Sequence, residues 1–192
     1  MRFFLLLLFF LSATHEASAH AVPQGAGAVA AGFLHPYWLP SHLLNLAGLG
    51  LLIGQSGARK YLAVAIFGGS VLCGLGATAR VYESPTAIWL PVSAAVIGLL
   101  VASAWRLPRL ALSAIAAVIG AMVGLDSRPE TPFLSDALLA FAGTALGASL
   151  AVLIVAFAAS FARARWQEIG VRVVGSWIAA TAILVSALQF AR

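Results

Sequence analysis

Charge is scarce in this chain. Aspartate, glutamate, lysine and arginine make up 9% of its 192 residues, against about 25% in an ordinary soluble domain. Cysteine is scarcer still. Cys73 stands alone inside an apolar run, which excludes a disulfide framework and a cysteine-based metal cluster. Missing too are a nucleophile–base pair, paired carboxylates and a glycine-rich phosphate loop, so no enzyme is expected. What is abundant is apolar: 62% of the residues are hydrophobic, and the mean hydropathy is +1.01. A domain of this size has too little interior to hide that many apolar side chains. A soluble enzyme, a disordered tail and a nucleic-acid-binding domain are all poor fits, and no nucleic-acid partner is expected. The fold class that remains is all-α, a polytopic membrane helix bundle whose partner is the lipid bilayer.

The chain opens with Met1 and Arg2, an apolar run from Phe3 to Leu11, and a polar stretch ending Ala17-Ser18-Ala19. A positive start, a short apolar core and a small-x-small site form a secretory signal peptide. The run is too short to span about 30 Å of hydrocarbon, which takes about 20 helical residues. Residues 1–19 are therefore expected to be cleaved, leaving 20–192 as one six-helix transmembrane domain. Its apolar stretches run roughly 28–54, 61–79, 86–105, 109–125, 134–161 and 171–190.

Charge placement tests this division. With the mature N-terminus outside, the cytoplasmic loops hold Arg59, Lys60, Arg106, Arg109, Arg163, Arg165 and Arg172, with Glu168 as their one acid. The outer loops and the C-terminus hold Arg80, Arg128 and Arg192 beside Glu83, Asp126, Glu130 and Asp136. That is the positive-inside bias. It predicts an inner-membrane protein with both mature termini on the periplasmic side; five or seven spans would scramble it. Tyr61, Tyr82, Trp89, Trp105 and Trp166 fall near span ends, where amphipathic rings prefer to sit.

Three GxxxG pairs, Gly50/Gly54, Gly120/Gly124 and Gly143/Gly147, lie on three separate spans. Residues four apart share a helix face, and the missing side chains let backbones approach. They predict a tight bundle without a wide aqueous pore.

All four histidines, His15, His20, His35 and His42, lie in the first 42 residues. His15 belongs to the signal peptide. The stretch from His35 to His42 carries Pro36 and Pro40, which interrupt the first span. Proline lacks an N–H and disfavours helix in the residue before it. A broken helix follows, with Ser41 expected to cap its second part. Broken helices in membranes commonly form ion and substrate sites. On a continuous helix His35 and His42 would stand about 10.5 Å apart along the axis. A nitrogen ligand binds a transition metal at about 2 Å, so a shared ion requires the break to bring them together. Imidazole suits nickel, cobalt, copper and zinc. His20, as a new N-terminus, would offer an amine beside its imidazole, a weaker candidate ligand. The loop from Asp126 to Pro132 reads as solvated, with Asp126 ending one helix and Ser135 or Asp136 capping the next. Arg163 and Arg165 are expected against anionic headgroups.

The interrupted span carries a resemblance. Gly32-Phe33-Leu34-His35-Pro36 followed by Ser41-His42-Leu43-Leu44 resembles the signature G-F-x-H-P-x-x-G-x-D-H-L-L of the HupE/UreJ family of hydrogenase and urease accessory membrane proteins. The likeness continues at Ser93-Ala94-Ala95-Val96-Ile97-Gly98-Leu99-Leu100 and at Arg172-Val173-Val174-Gly175-Ser176-Trp177-Ile178-Ala179. The resemblance implies a signal peptide, about six spans and a nickel or cobalt permease. Leu39 and Ser41 stand where the family has Gly and Asp. Where its fourth span carries H-G-x-x-H-G-x-E, this chain has Ile119-Gly120-Ala121-Met122-Val123-Gly124-Leu125-Asp126. The glycines remain, both histidines are aliphatic and the acid is shorter. The candidate metal site is then His35, His42 and Asp126, a degenerate set.

The leading expectation is a permease for nickel or cobalt, or an accessory to metalloenzyme maturation, with a transported ion as cargo and no resident cofactor implied. The alternative is a non-transporting subunit or assembly protein that keeps the family fold and binds other membrane proteins, or a second copy of itself, through its glycine faces. A third is a sensor or copper-handling protein built on His20.

Overall fold

The structure, a computed structural model, describes residues 27–57, 60–78, 86–105, 107–129, 131 and 133–190. The expected signal peptide, His20 and the loop residues Arg59, Arg80, Glu83, Arg106 and Glu130 lie outside the described residues. Seven helices and no strand occur among those described: α1 (Ala28–Trp38), α2 (Pro40–Gln55), α3 (Lys60–Ala77), α4 (Thr86–Ser103), α5 (Arg109–Asp126), α6 (Leu134–Ala159) and α7 (Arg165–Phe190). Arg109–Asp126, Leu134–Ala159 and Arg165–Gln189 are long and apolar enough to cross a membrane, and Tyr61–Ala77 and Ile88–Ser103 are shorter apolar helices. Large apolar side chains such as Leu72, Leu99, Leu146 and Ile183 point outward from the bundle. That outward apolar surface suits lipid, and helices satisfy their own backbone where water is absent. The fold is a helical membrane bundle.

The first apolar stretch forms two helices. Leu39 separates them in extended backbone (φ −98, ψ 116), the conformation that a following proline imposes. Pro40 then starts α2 at its first position, where the missing N–H costs nothing and the fixed φ suits the turn. This corrects the expected cap. Leu39, not Ser41, is the N-cap residue, and no side chain caps the helix. The same holds at α6, whose N-cap residue is Phe133, with Ser135 and Asp136 inside the first turn. There the Asp136 charge still favours the positive end of the helix. The last helix begins at Arg165, ahead of its apolar stretch, because Gln167 Oε1 accepts the backbone N–H groups of Arg163 and Ala164 at 3.1 and 3.0 Å.

α2 is the central helix and touches all six others. The most extensive pairings elsewhere are α3 with α5, α4 with α7 and α1 with α6. Glycine makes them close. A β-carbon on Gly120 would meet the carbonyl oxygen of Phe67, and one on Gly124 that of Val71. Gly143 and Gly147 press on the backbone of Val29 and Phe33 in α1, and Gly50 and Gly54 on α6 at Val152, Val155, Ala156 and Ala159. All six glycines singled out by spacing sit at helix contacts.

The register fixes direction. Gly120 and Gly124 meet Phe67 and Val71 in the same order, so α3 and α5 run parallel. Asn45 bonds Leu90 and Gln55 bonds Val101, so α2 and α4 run parallel; Gly50 and Gly54 show the same for α2 and α6. The start of α2 meets the end of α5 at His42 and Asp126, so these two sets are opposed. Gly98 and Val101 meet Ala179 and Gly175 in reverse order, which sets α7 against α4. Helices α2 to α7 thus alternate in direction. Leu46, Leu49, Ile53, Ile97 and Val101 pack fully buried between the two ends.

Candidate functional site

The proline break shapes the site. The rings of His35 in α1 and His42 in the first turn of α2 lie edge to face with centroids 6.0 Å apart, well inside the separation of a continuous helix. α1 holds its place through Tyr37, whose hydroxyl donates to Gly147 O at 2.8 Å, and through Thr144, which donates to Gly32 O at 3.1 Å. Gly32 lies directly against the Ala140 backbone.

His42 is fully buried, and its Nε2 lies 3.0 Å from Asp126 Oδ2. The other carboxylate oxygen accepts the Thr86 hydroxyl at 2.7 Å. Asp126 is the last residue of α5, whereas Thr86 opens α4 and His42 lies in the first turn of α2. A carboxylate at a helix C-terminus is electrostatically misplaced. Here the positive starts of two neighbouring helices converge on it. Ser127 locks the corner, its hydroxyl donating to Val123 O at 2.7 Å. The expectation of a solvated Asp126 is therefore corrected: its side chain keeps 18% exposure and is held on both oxygens.

With Nε2–H donating to Asp126, His42 carries its lone pair on Nδ1. That atom is buried without a hydrogen-bond partner among the described residues, and His35 Nε2 is also buried. A carboxylate that fixes the tautomer and leaves the second nitrogen available is the usual support for a metal-ligating histidine. No group of three or more His, Cys, Asp or Glu placed to hold a metal occurs among the described residues. His35, His42 and Asp126 are brought to one end of the bundle, but as a pair of rings with an orienting carboxylate.

Directly beneath, Asn45 is fully buried and fully bonded. Its amide donates to Ser41 O and Leu90 O, both at 2.8 Å, and its oxygen accepts from Ser93 Oγ at 2.9 Å. Neither Asn45 nor Thr86 was picked out by sequence reasoning. For Asn45 a signal existed: an amide inside an apolar run, three residues after His42 and so on the same helix face. Thr86 carried none, since its role depends on a partner 40 residues away.

Fold and site together define the class as an all-helical membrane bundle with a buried imidazole–carboxylate pair at one end. The family model described as HupE / UreJ protein matches residues 7–185, and the chain belongs to this family. At family level that makes it a nickel/cobalt accessory or permease-type membrane protein. Comparison with curated proteins and with solved structures gives no match.

Proposed function

We propose that the protein is an inner-membrane permease admitting a divalent ion, nickel or cobalt, from the periplasmic side through the site at the start of α2. The observation that carries this reading is the break at Leu39, which sets His35 and His42 ring to ring while Asp126 fixes the tautomer of His42. His42 Nδ1 and His35 supply the ligands, and Asp126 and Thr86 act as positioning groups. Two imidazoles hold an ion weakly, which suits cargo that must leave again. The mature N-terminus, with the weaker candidate His20, and the C-terminus lie on the periplasmic side in this reading.

The test is nickel and cobalt accumulation by cells producing the protein. His42→Ala and His35→Ala are expected to lower uptake at least tenfold, with Asp126→Asn intermediate. Unchanged uptake in both histidine variants, or none above background with the native chain, would overturn the reading.

A second reading is a non-transporting membrane subunit or assembly protein of the same fold. The absence of a three-ligand group among the described residues favours it, together with the apolar layer beneath Asn45. Purification in mild detergent separates the two: this reading requires a co-purifying membrane protein or a second copy, the permease does not.

A further inference from the structure

The opposite end of the bundle holds a cavity of about 500 Å3 between the ends of α2 and α6, the turn after α4 and the first two turns of α7. Among the described residues its charged wall comes from α7 alone. Arg165, Glu168 and Arg172 line it at positions i, i+3 and i+7, one face of the helix with rises of about 4.5 and 6 Å between them. Arg172 Nε donates to Ala102 O at 2.8 Å, which ties the wall to the end of α4. Arg165 and Glu168 make no ion pair and no side-chain hydrogen bond among the described residues. A plus–minus–plus row therefore borders the cavity, and no described residue matches the charges of Arg165 and Glu168.

The facing turn is strained. Ala104 has φ 53, the one described non-glycine residue in the left-handed region. That conformation crowds the β-carbon of an L-residue and is normally given to glycine after a helix end. Strain of this kind concentrates at ligand clamps. Here it sets Trp105 at the cavity wall, 68% exposed. Trp166, 74% exposed, stands beside Arg165 in the first turn of α7. Exposed tryptophans at one level of a bundle mark the headgroup layer. Ile169 completes the lining with an apolar patch.

We propose that this cavity binds the headgroup of an aminophospholipid, with Arg165 and Arg172 on the phosphate diester and Glu168 on the primary ammonium. Guanidinium forks match phosphate oxygens. A basic pocket between transmembrane helices on the side carrying the basic loops is a recurrent headgroup site. Glu168 sets the choice within that class. It repels an anionic headgroup, and a quaternary ammonium has no N–H to give it. The apolar wall at Trp105 and Ile169 rewards the start of an acyl chain, which free phosphate lacks.

The experiment uses the full chain, delipidated in mild detergent, and follows its thermal unfolding midpoint against added phosphatidylethanolamine, phosphatidylcholine, phosphatidylglycerol or inorganic phosphate. A ligand that binds the folded state raises the midpoint saturably. Phosphatidylethanolamine is expected to raise it most. Arg165→Gln weakens that response about tenfold, about 1.4 kcal/mol, and Glu168→Gln removes the preference over phosphatidylcholine. Both side chains are exposed, so the lipid-free midpoints should match the native one. Equal shifts with all three lipids, a shift with inorganic phosphate as large as with phosphatidylethanolamine, or unaltered responses in both variants would each overturn the proposal. No metal enters the measurement, so its outcome is independent of the transport reading.

Discussion

Helix α5 meets its neighbours in two ways. Along α3 the contact is backbone on backbone: Gly120 and Gly124 face the Phe67 and Val71 carbonyls, and Gly74 returns the arrangement against Ala121. At its far end α5 meets α2 chiefly through the Asp126–His42 hydrogen bond, and the two helices are otherwise barely in contact. Lipid tails are as apolar as leucine, so helices in a bilayer gain little from burying apolar surface against each other. Close packing therefore holds the bundle together. The polar contact adds less stability, but it places an ionisable pair where one is otherwise expensive. The glycine seams carry the fold, and the site is suspended between them.

Breaking a seam should have the largest effect. Gly124→Leu forces a side chain into the Val71 carbonyl and the backbone at Leu75, with no flexible group able to yield. Overpacking typically costs about 1–3 kcal/mol, occasionally more, and backbone atoms put this site at the upper end. Unfolding in detergent, read by helical signal or by loss of the monodisperse peak, measures it. A variant as stable as the native chain would show that α3 and α5 separate freely. A double-mutant cycle with His42→Ala and Asp126→Ala should give a smaller coupling, about 0.6 kcal/mol on average within a range reaching about 1.7, as for hydrogen bonds between membrane helices. A coupling well above that range would make the pair a structural pillar and reverse the comparison.

How much of this was legible in the sequence follows the same division. The GxxxG pairs were readable because both members lie on one helix. Their partners were not, and Gly32 against Ala140 or Gly98 against Gly175 escaped notice because each glycine's counterpart lies on another helix. The break before Pro40 was readable from local backbone chemistry. Its outcome, rings at 6.0 Å, depends on how α1 lies on α6 through Tyr37 and Thr144, which no local pattern encodes. Asp126 looked like a loop carboxylate because it stands at the start of a polar stretch. Only the meeting of three helix ends turns it inward. Ser41 and Ser135 looked like caps because they are good capping residues, yet Pro40 and Leu134 start their helices ahead of them. Family membership, by contrast, was carried by short local motifs and survived the loss of the fourth-span histidines.

The smallest expected effect tests the same comparison from the other side. Gly69 lies on α3 but faces outward, and a β-carbon there meets nothing within 4 Å. Without a close approach to protect, the residue is simply a poor helix former, and Gly69→Ala should stabilise the chain by about 0.5–1 kcal/mol. Its sign is thus opposite to that of Gly124→Leu although both positions are glycines on paired helices. Thermal unfolding in detergent should show the gain. Repeating the measurement in bilayers adds a second arm. A gain in detergent that becomes a loss in bilayers would mean that a neighbouring helix closes on this face as α5 closes on the other. Gly69 would then belong with the seams, and the outward surface of α3 with the interior of a larger assembly.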